Sequence, residues 1–509
     1  MKQKDGQNRS AQELTGLLAR FRDGLADGTM TADEAMKIIE KVQAYGGDAI
    51  RRVAEMLGSS DKETRYAALV LARELNDRRL VVPLRRILRD PRCDEEEKLL
   101  AAAVLAYSGA PVDDATLRQA IPDIEGALKA SLGQLLSTIE DPARTAALLE
   151  MMGRWPPEMQ SEYVHMFLDP SADRRLLLLF NALLYSVHDE VVVAAIEAIE
   201  RLSEPATIPL LEERAGYDPS PRVRLAAANA ALRLKARVGK IPPAASALPP
   251  WSVRSDLPLA CCFISTIDGS GGQVLFVGRL LAEGTIRLVD VMFNDHEGIK
   301  DCFSGVVSEE NLDEIKSTFG DIGFVDISLE RAREKIAQAV QVTLEAHRRL
   351  PALFPVWRGW LEGSEARPPE EFPLPVVEPS MRERLLADCA GLLELDEFQY
   401  WFFNPDEIEA FLPAYRRLFR HHQAEAGEPA FEALIDRAVE TVVDERYRRL
   451  LPKRLRDQAW LLRQIYEDDE VEVSLWALVA ADAIEEGIVV QHPLLREMMI
   501  YSLVNAAGF

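Results

Sequence analysis

The sequence predicts a mostly α-helical chain in three parts: an N-terminal α-α solenoid of repeated helix pairs, a small central α+β module and a C-terminal helical domain. Three observations carry this reading. A motif recurs every 31 to 33 residues up to about residue 238. Strand-like runs fill 258–362, between two proline-rich stretches at 239–257 and 363–380. Apolar residues at helical spacing return over 381–509.

Length and charge narrow the class. At 509 residues the chain has room for three or four domains, and 48% hydrophobic residues suffice for packed cores. The formal charge of −24 excludes a general nucleic-acid coat, because phosphate binding needs a net basic surface. Nucleic acid as a partner is thus disfavoured, except through local basic strips. The polar start MKQKDGQNRSAQ lacks the apolar core of a signal peptide. No stretch approaches the roughly 18 apolar residues of a membrane helix. Five scattered cysteines, Cys93, Cys261, Cys262, Cys302 and Cys389, include no C-x-x-C pair. They read as thiols in a reducing compartment, with a zinc site or disulfide frame as the alternatives. The expectation is a cytoplasmic protein without a membrane anchor.

The repeats come first. Asp218-Pro-Ser-Pro-Arg-Val-Arg-Leu-Ala-Ala, with Leu234 ten residues beyond Arg224, matches Ser59-Ser-Asp-Lys-Glu-Thr-Arg-Tyr-Ala-Ala with Leu75 beyond Arg65. Val191-Val-Val-Ala-Ala with Leu202 is a third copy, and the common frame runs Arg65, Lys98, Lys129, Ser161, Val192, Arg224. Each copy offers a first helix with paired alanines, a polar turn, and a second helix opening on Pro-Leu, as at Pro83-Leu84 and Pro209-Leu210. A helix pair this small must stack on its neighbours to bury its apolar face.

The pattern D-x-x-x-x-V-R-x-x-A-A…L resembles the HEAT-like repeats of the phycobilisome-lyase type, over roughly residues 31–238. Lys129 and Ser161 depart from it. The resemblance implies an α-solenoid with a protein-binding surface and implies no lyase activity. Arg65 and Arg224 are the candidate binding residues of this part, as a ladder toward an acidic partner. The alternative is pairing with the turn aspartates of adjacent repeats.

After the linker Gly239–Pro250, the order expected for 258–362 is β-β-β-α-β-α. Strands are predicted at 259–267, 273–280, 285–293 and 323–327, with helices over 308–319 and 328–349. Asp268-Gly-Ser-Gly-Gly is a turn, and Asn294–Cys302 is a polar loop. This order is similar to the first part of a ribonuclease H-like fold, where an aspartate in Asp-Gly-Ser joins further carboxylates to hold two Mg²⁺ ions. The resemblance places Asp268 in that role, with Asp326 and Glu310 or Glu314 as companions. The same turn is also ordinary hairpin chemistry. In the polar loop, Asp295, His296 and Asp301 are candidate binding residues, since a histidine between carboxylates can act as a base or a ligand; a solvated loop is the alternative. No phosphate-binding glycine loop, G-x-S-x-G or Cys–His dyad is found.

The acidic helical bundle at 381–509 is predicted as helices over 382–395, 405–425, 430–451, 453–467, 474–486 and 492–507. Phe398-Gln-Tyr-Trp-Phe-Phe403 holds five aromatics in six positions, with Trp401 as either core anchor or interface hot spot. Between Arg446 and Arg456 lie six basic residues, among them the candidates Arg448 and Arg449, in an otherwise acidic domain. They form either a basic contact strip or a salt-bridged helix. Glu467–Glu470 lacks the ligand spacing of a calcium loop, and His421-His422 ends a helix.

The function expected is that of a non-enzymatic scaffold or adaptor that holds protein partners on the solenoid. It requires no catalytic residue, metal or cofactor. The alternative is a metal-dependent nucleic-acid-processing or nucleic-acid-binding protein with a degenerate ribonuclease H-like module.

Overall fold

A computed structural model describes residues 2–27, 30, 32–123, 126, 133, 136, 139, 141–166, 173–238, 255–318, 323–363, 374–421, 427–466 and 471–508. Lys129, the linker Gly239–Pro250, His422 and the run Glu467–Glu470 lie outside them. The chain is mostly helical with one small five-stranded antiparallel sheet. It divides into two compact units, Met1–Pro156 with Met166–Ala172, and Pro157–His165 with Asp173–Phe509. Among the described residues no helix is long and apolar enough to cross a membrane. All five cysteines are free, and four of them are buried.

In the first unit the helix Lys62–Leu75 packs against Gly47–Leu57 on one side and Glu95–Tyr107 on the other. Ala67 and Ala68 are fully buried, so the small side chains let the helices approach closely. Asp61 caps the first of these helices, and Asp94 with Glu97 forms a capping box on the third. Of the frame residues, Arg65, Lys98, Val192 and Arg224 are each the fourth residue of their helices, and Ser161 is the fifth of Pro157–Met166. The second helices, Val81–Ile87 and Ile208–Tyr217, are each entered through a single 3₁₀ turn, Arg78–Leu80 and Pro205–Thr207.

The second unit includes the helices Leu176–Leu183, Asp189–Leu202, Ile208–Tyr217 and Pro221–Val238. Arg349 fastens the sheet module to these helices. Its guanidinium donates to Asp218 at 2.9 and 3.0 Å, to Asp189 at 2.6 Å and to the Ser186 carbonyl at 2.7 Å.

The sheet comprises β1 (Leu259–Ser265), β2 (Gly272–Leu280), β3 (Ile286–Asn294), β4 (Gly298–Val307) and β5 (Phe324–Asp326), in the order β4-β3-β2-β1-β5. This corrects the expected order, because the polar loop is only a tight turn at 295–297 and most of it belongs to β4. An edge strand with one face half in solvent tolerates Lys300, Asp301 and Ser304, so its composition imitates a loop. Four strands therefore precede the first helix, and β5 pairs antiparallel with β1. Two helices, Leu329–Glu345 and Phe354–Glu362, cover one face. On the other, Phe263, Val274, Phe276 and Leu288 pack with Leu312 and Ile315.

The C-terminal helices surround one core that includes Phe398, Trp401, Phe403, Leu434, Leu455 and Met498. The expected break at Pro452 is absent. Glu445–Ile465 runs through the proline, and the chain breaks instead before Asp444, whose side chain accepts from Tyr447 N at 3.0 Å.

Candidate functional site

Two turns and one helix build the site. Asp268 closes the β1–β2 turn on itself: its Oδ1 accepts from Gly272 N at 2.8 Å and from Ser270 Oγ at 2.7 Å. The β3–β4 turn is tied to it, with Asn294 Nδ2 donating to Ser270 O at 2.8 Å and Asp295 N to Gly271 O at 3.1 Å. Arg454, on the helix Glu445–Ile465, enters between them. Its Nε and Nη2 meet the two oxygens of Asp295 at 2.7 and 2.8 Å, and its Nη1 reaches Gly269 O at 2.6 Å. Trp401 Nε1 donates to Ile267 O at 2.8 Å, and Ile267 N donates to Gln458 Oε1 at 2.9 Å.

The glycines of Asp268-Gly-Ser-Gly-Gly thus have specific work. A Cβ on Gly269 would lie 2.5 Å from Tyr400 O and 2.6 Å from Trp401 Cα. Gly271 has φ +88 and faces Asp295 and Arg454.

Beside this junction lies a cleft of about 510 Å³. Asp268, His296 and Lys300 line it from the sheet turns, and Tyr400, Glu407 and Arg446 line it from the helical side. Its charges are largely paired. Arg446 meets Glu407 at 2.6 Å, Tyr447 donates its hydroxyl to the same carboxylate, and Lys300 meets Glu297 at 2.9 Å. Burial and the Glu407 carboxylate together raise the Tyr447 phenol above its ordinary value. His296 Nδ1 lies 3.3 Å from Asp295 Oδ1. Tyr400 and Phe402 are exposed at the rim, while Phe398, Trp401 and Phe403 point into the core.

Asp268, Asp295, His296 and Trp401 are therefore brought to one junction. Arg448 and Arg449 lie on the same helix as Arg454, both exposed, with Arg448 Nε on Val443 O at 3.2 Å. Of the six basic residues, Arg446, Arg454 and Arg456 are held by carboxylates. Asp301 stands apart on β4, its Oδ1 accepting from Cys302 N at 2.9 Å. Arg65 is buried, bonded through Nε and Nη2 to Glu97 at 2.8 and 3.0 Å. Its Nη1 also reaches Ser59 O and Ser60 O, and Arg224 Nη1 makes the equivalent contacts to Asp218 O and Pro219 O. Both arginines thus brace the turn that precedes their own helix.

Among the described residues no group of three or more His, Cys, Asp or Glu is placed to hold a metal. Asp326 lies opposite Phe263 in the register, its side chain 85% exposed, whereas Asp268 lies beyond the end of β1. The sequence reading singled out neither Arg454 nor Asp290. Asp290, in the middle of β3, is pushed up to about 6 by burial and by the neighbouring Asp301 carboxylate. Its signal was a lone aspartate inside the alternating apolar run Ile286–Phe293.

Comparison with protein-family models, with curated proteins and with solved structures finds no match to the chain.

Proposed function

We propose that the chain is a non-enzymatic scaffold that binds other proteins, with its repeats forming an α-α solenoid of the HEAT-like type. The observation that supports this is the arginine brace. Two frame arginines, five periods apart, hold the carbonyls six and five residues before them in the same way. Such a brace fixes the turn between successive helix pairs, and stacked pairs create extended surfaces rather than enclosed catalytic pockets. The cleft fits the same reading, because Arg446 with Glu407 and Lys300 with Glu297 are paired within their own sides, and Arg454 with Asp295 joins the sheet module to the helical bundle.

The test is native mass spectrometry of the tagged protein, purified gently from the cells that make it. The expected result is a stoichiometric protein partner. A lone chain carrying nucleic acid or a divalent metal overturns the reading.

A further inference from the structure

The helix Pro221–Val238 carries an unusual outward face. Leu225 is 65% exposed and Leu232 68%, seven residues apart and on one stripe, with exposed Ala228 between them. Counting from the frame residue, these are positions +1, +4 and +8.

The same positions in two other first helices are covered. In Lys62–Leu75 they are Tyr66, Leu69 and Arg73, where Leu69 is fully buried and the other two are half-buried. In Asp189–Leu202 they are Val193, Ile196 and Glu200, at most half-exposed, with Ile196 1% exposed. Glu200 is held by the first helix of the next repeat, Pro221–Val238, through Arg233 at 2.7 Å and Arg237 at 3.1 Å. In that copy position +8 thus meets the following repeat, and on Pro221–Val238 the same position is Leu232. Among the described residues no helix follows until the sheet module, so this stack ends with its packing face open.

Charge selects the occupant. The helix carries Arg222, Arg224, Arg233, Lys235 and Arg237 and no acidic residue. Arg233 and Arg237 share the single carboxylate of Glu200 and Lys235 pairs with Glu212, so the five cations of the helix exceed the carboxylates they meet. A second copy of the same helix would bring like charges together across a two-fold axis.

We infer that this face docks an acidic amphipathic α-helix of a partner protein. The partner's aliphatic side chains cover Leu225 and Leu232, and its carboxylates meet Arg222 and Arg233. The inference rests on the scaffold reading and names one of its contact surfaces.

The test uses the full-length protein and two labelled synthetic helices, measured by fluorescence anisotropy. One carries leucines at i and i+7 flanked by glutamates, and the other has lysines in place of the glutamates. The glutamate helix is expected to bind and the lysine helix to fail. Leu225→Glu or Leu232→Glu, both at exposed sites, weakens binding by about tenfold or more, and added salt weakens it further. Equal binding of the two helices, or unchanged binding to the variants, overturns the inference. So does sedimentation showing a dimer of the free protein that Leu232→Glu abolishes, because a second copy then covers the face. If a co-purified partner stays bound to the double variant, this surface is refuted while the scaffold reading stands.

Discussion

Arg454 and Asp295 form a two-pronged ion pair, with the guanidinium 4% exposed and the carboxylate 29% exposed. The pair joins the long C-terminal helix to the β3–β4 turn, and Arg454 Nη1 adds the Gly269 carbonyl. Removing the arginine leaves two acceptors facing a void. Arg454→Met is expected to destabilise the second unit by on the order of 3 kcal/mol, read by urea unfolding followed by tryptophan fluorescence. Unchanged stability would show that the junction is held by apolar packing alone.

Arg65 and Glu97 are buried together, with side chains 4% and 1% exposed. Breaking one side strands a buried charge. Arg65→Met or Glu97→Leu alone should therefore cost about 3 to 5 kcal/mol. The double variant removes both charges and should recover the part of the loss due to the stranded charge, while the brace to Ser59 O and Ser60 O and the capping box stay lost. A double-mutant cycle on the full chain checks it, and strictly additive losses would show the two groups to be uncoupled.

The mostly helical content was legible in the sequence because helices are set by local chemistry: caps such as Asp61 and Asp94, small alanines at close contacts and polar turns. It misplaced β4, because one face of an edge strand need not be apolar. It broke the Glu445–Ile465 helix at Pro452, although the stronger local signal was the Asp444 cap seven residues after Arg437. At the junction, Asp268, Asp295, His296 and Trp401 were all singled out, each for its own chemistry. What joined the two turns was Arg454, more than 150 residues from Asp295 and Gly269 and indistinguishable on sequence from its basic neighbours. Tertiary pairing of that kind leaves no periodic trace.

Gly269 offers a test of how tightly the turn is held. Gly269→Ala drives a Cβ into the backbone at Tyr400 and Trp401, which cannot step aside as a flexible side chain can. The expected cost is about 3 kcal/mol. Gly284, in the β2–β3 turn, has φ +83 and open space around it, so Gly284→Ala should cost only about 1 kcal/mol of backbone strain. Thermal unfolding of the two variants side by side reads the difference, and equal losses would argue against close packing at Gly269.

Asp290 is pushed up to about 6 by burial, with the Asp301 carboxylate adding to it. A carboxyl that holds its proton more tightly folded than unfolded favours the fold most below its ordinary value near 3.8. That contribution is lost as pH rises through about 6. Asp290→Asn should therefore raise stability at neutral pH, by on the order of 1 kcal/mol after solvent screening. It should also flatten the stability profile between about pH 4 and 6. Asp301→Asn should move the Asp290 titration, followed by NMR, to lower pH; an unmoved midpoint would leave burial as its whole cause.

His492 shifts the opposite way and sets the acid limit of the C-terminal bundle. It is fully buried, with Nε2 3.1 Å from Ala480 O and Nδ1 accepting from Leu495 N at 3.5 Å. These partners require the proton on Nε2 and a bare Nδ1. Burial holds the ring down to about 4. The unfolded chain takes up a proton below about 6.5, and the folded chain does so only near 4. Stability is therefore full above pH 6.5 and falls as pH drops through that window, by about 3 kcal/mol at its acid end. A second proton on Nδ1 would face the Leu495 N–H and cancel the cap of the helix Pro493–Ala507. His492→Asn keeps a capping oxygen but cannot titrate, so its stability should lose this slope between pH 6.5 and 4. Chemical denaturation across that range decides it, since an unchanged slope in the variant would assign the acid sensitivity to other groups.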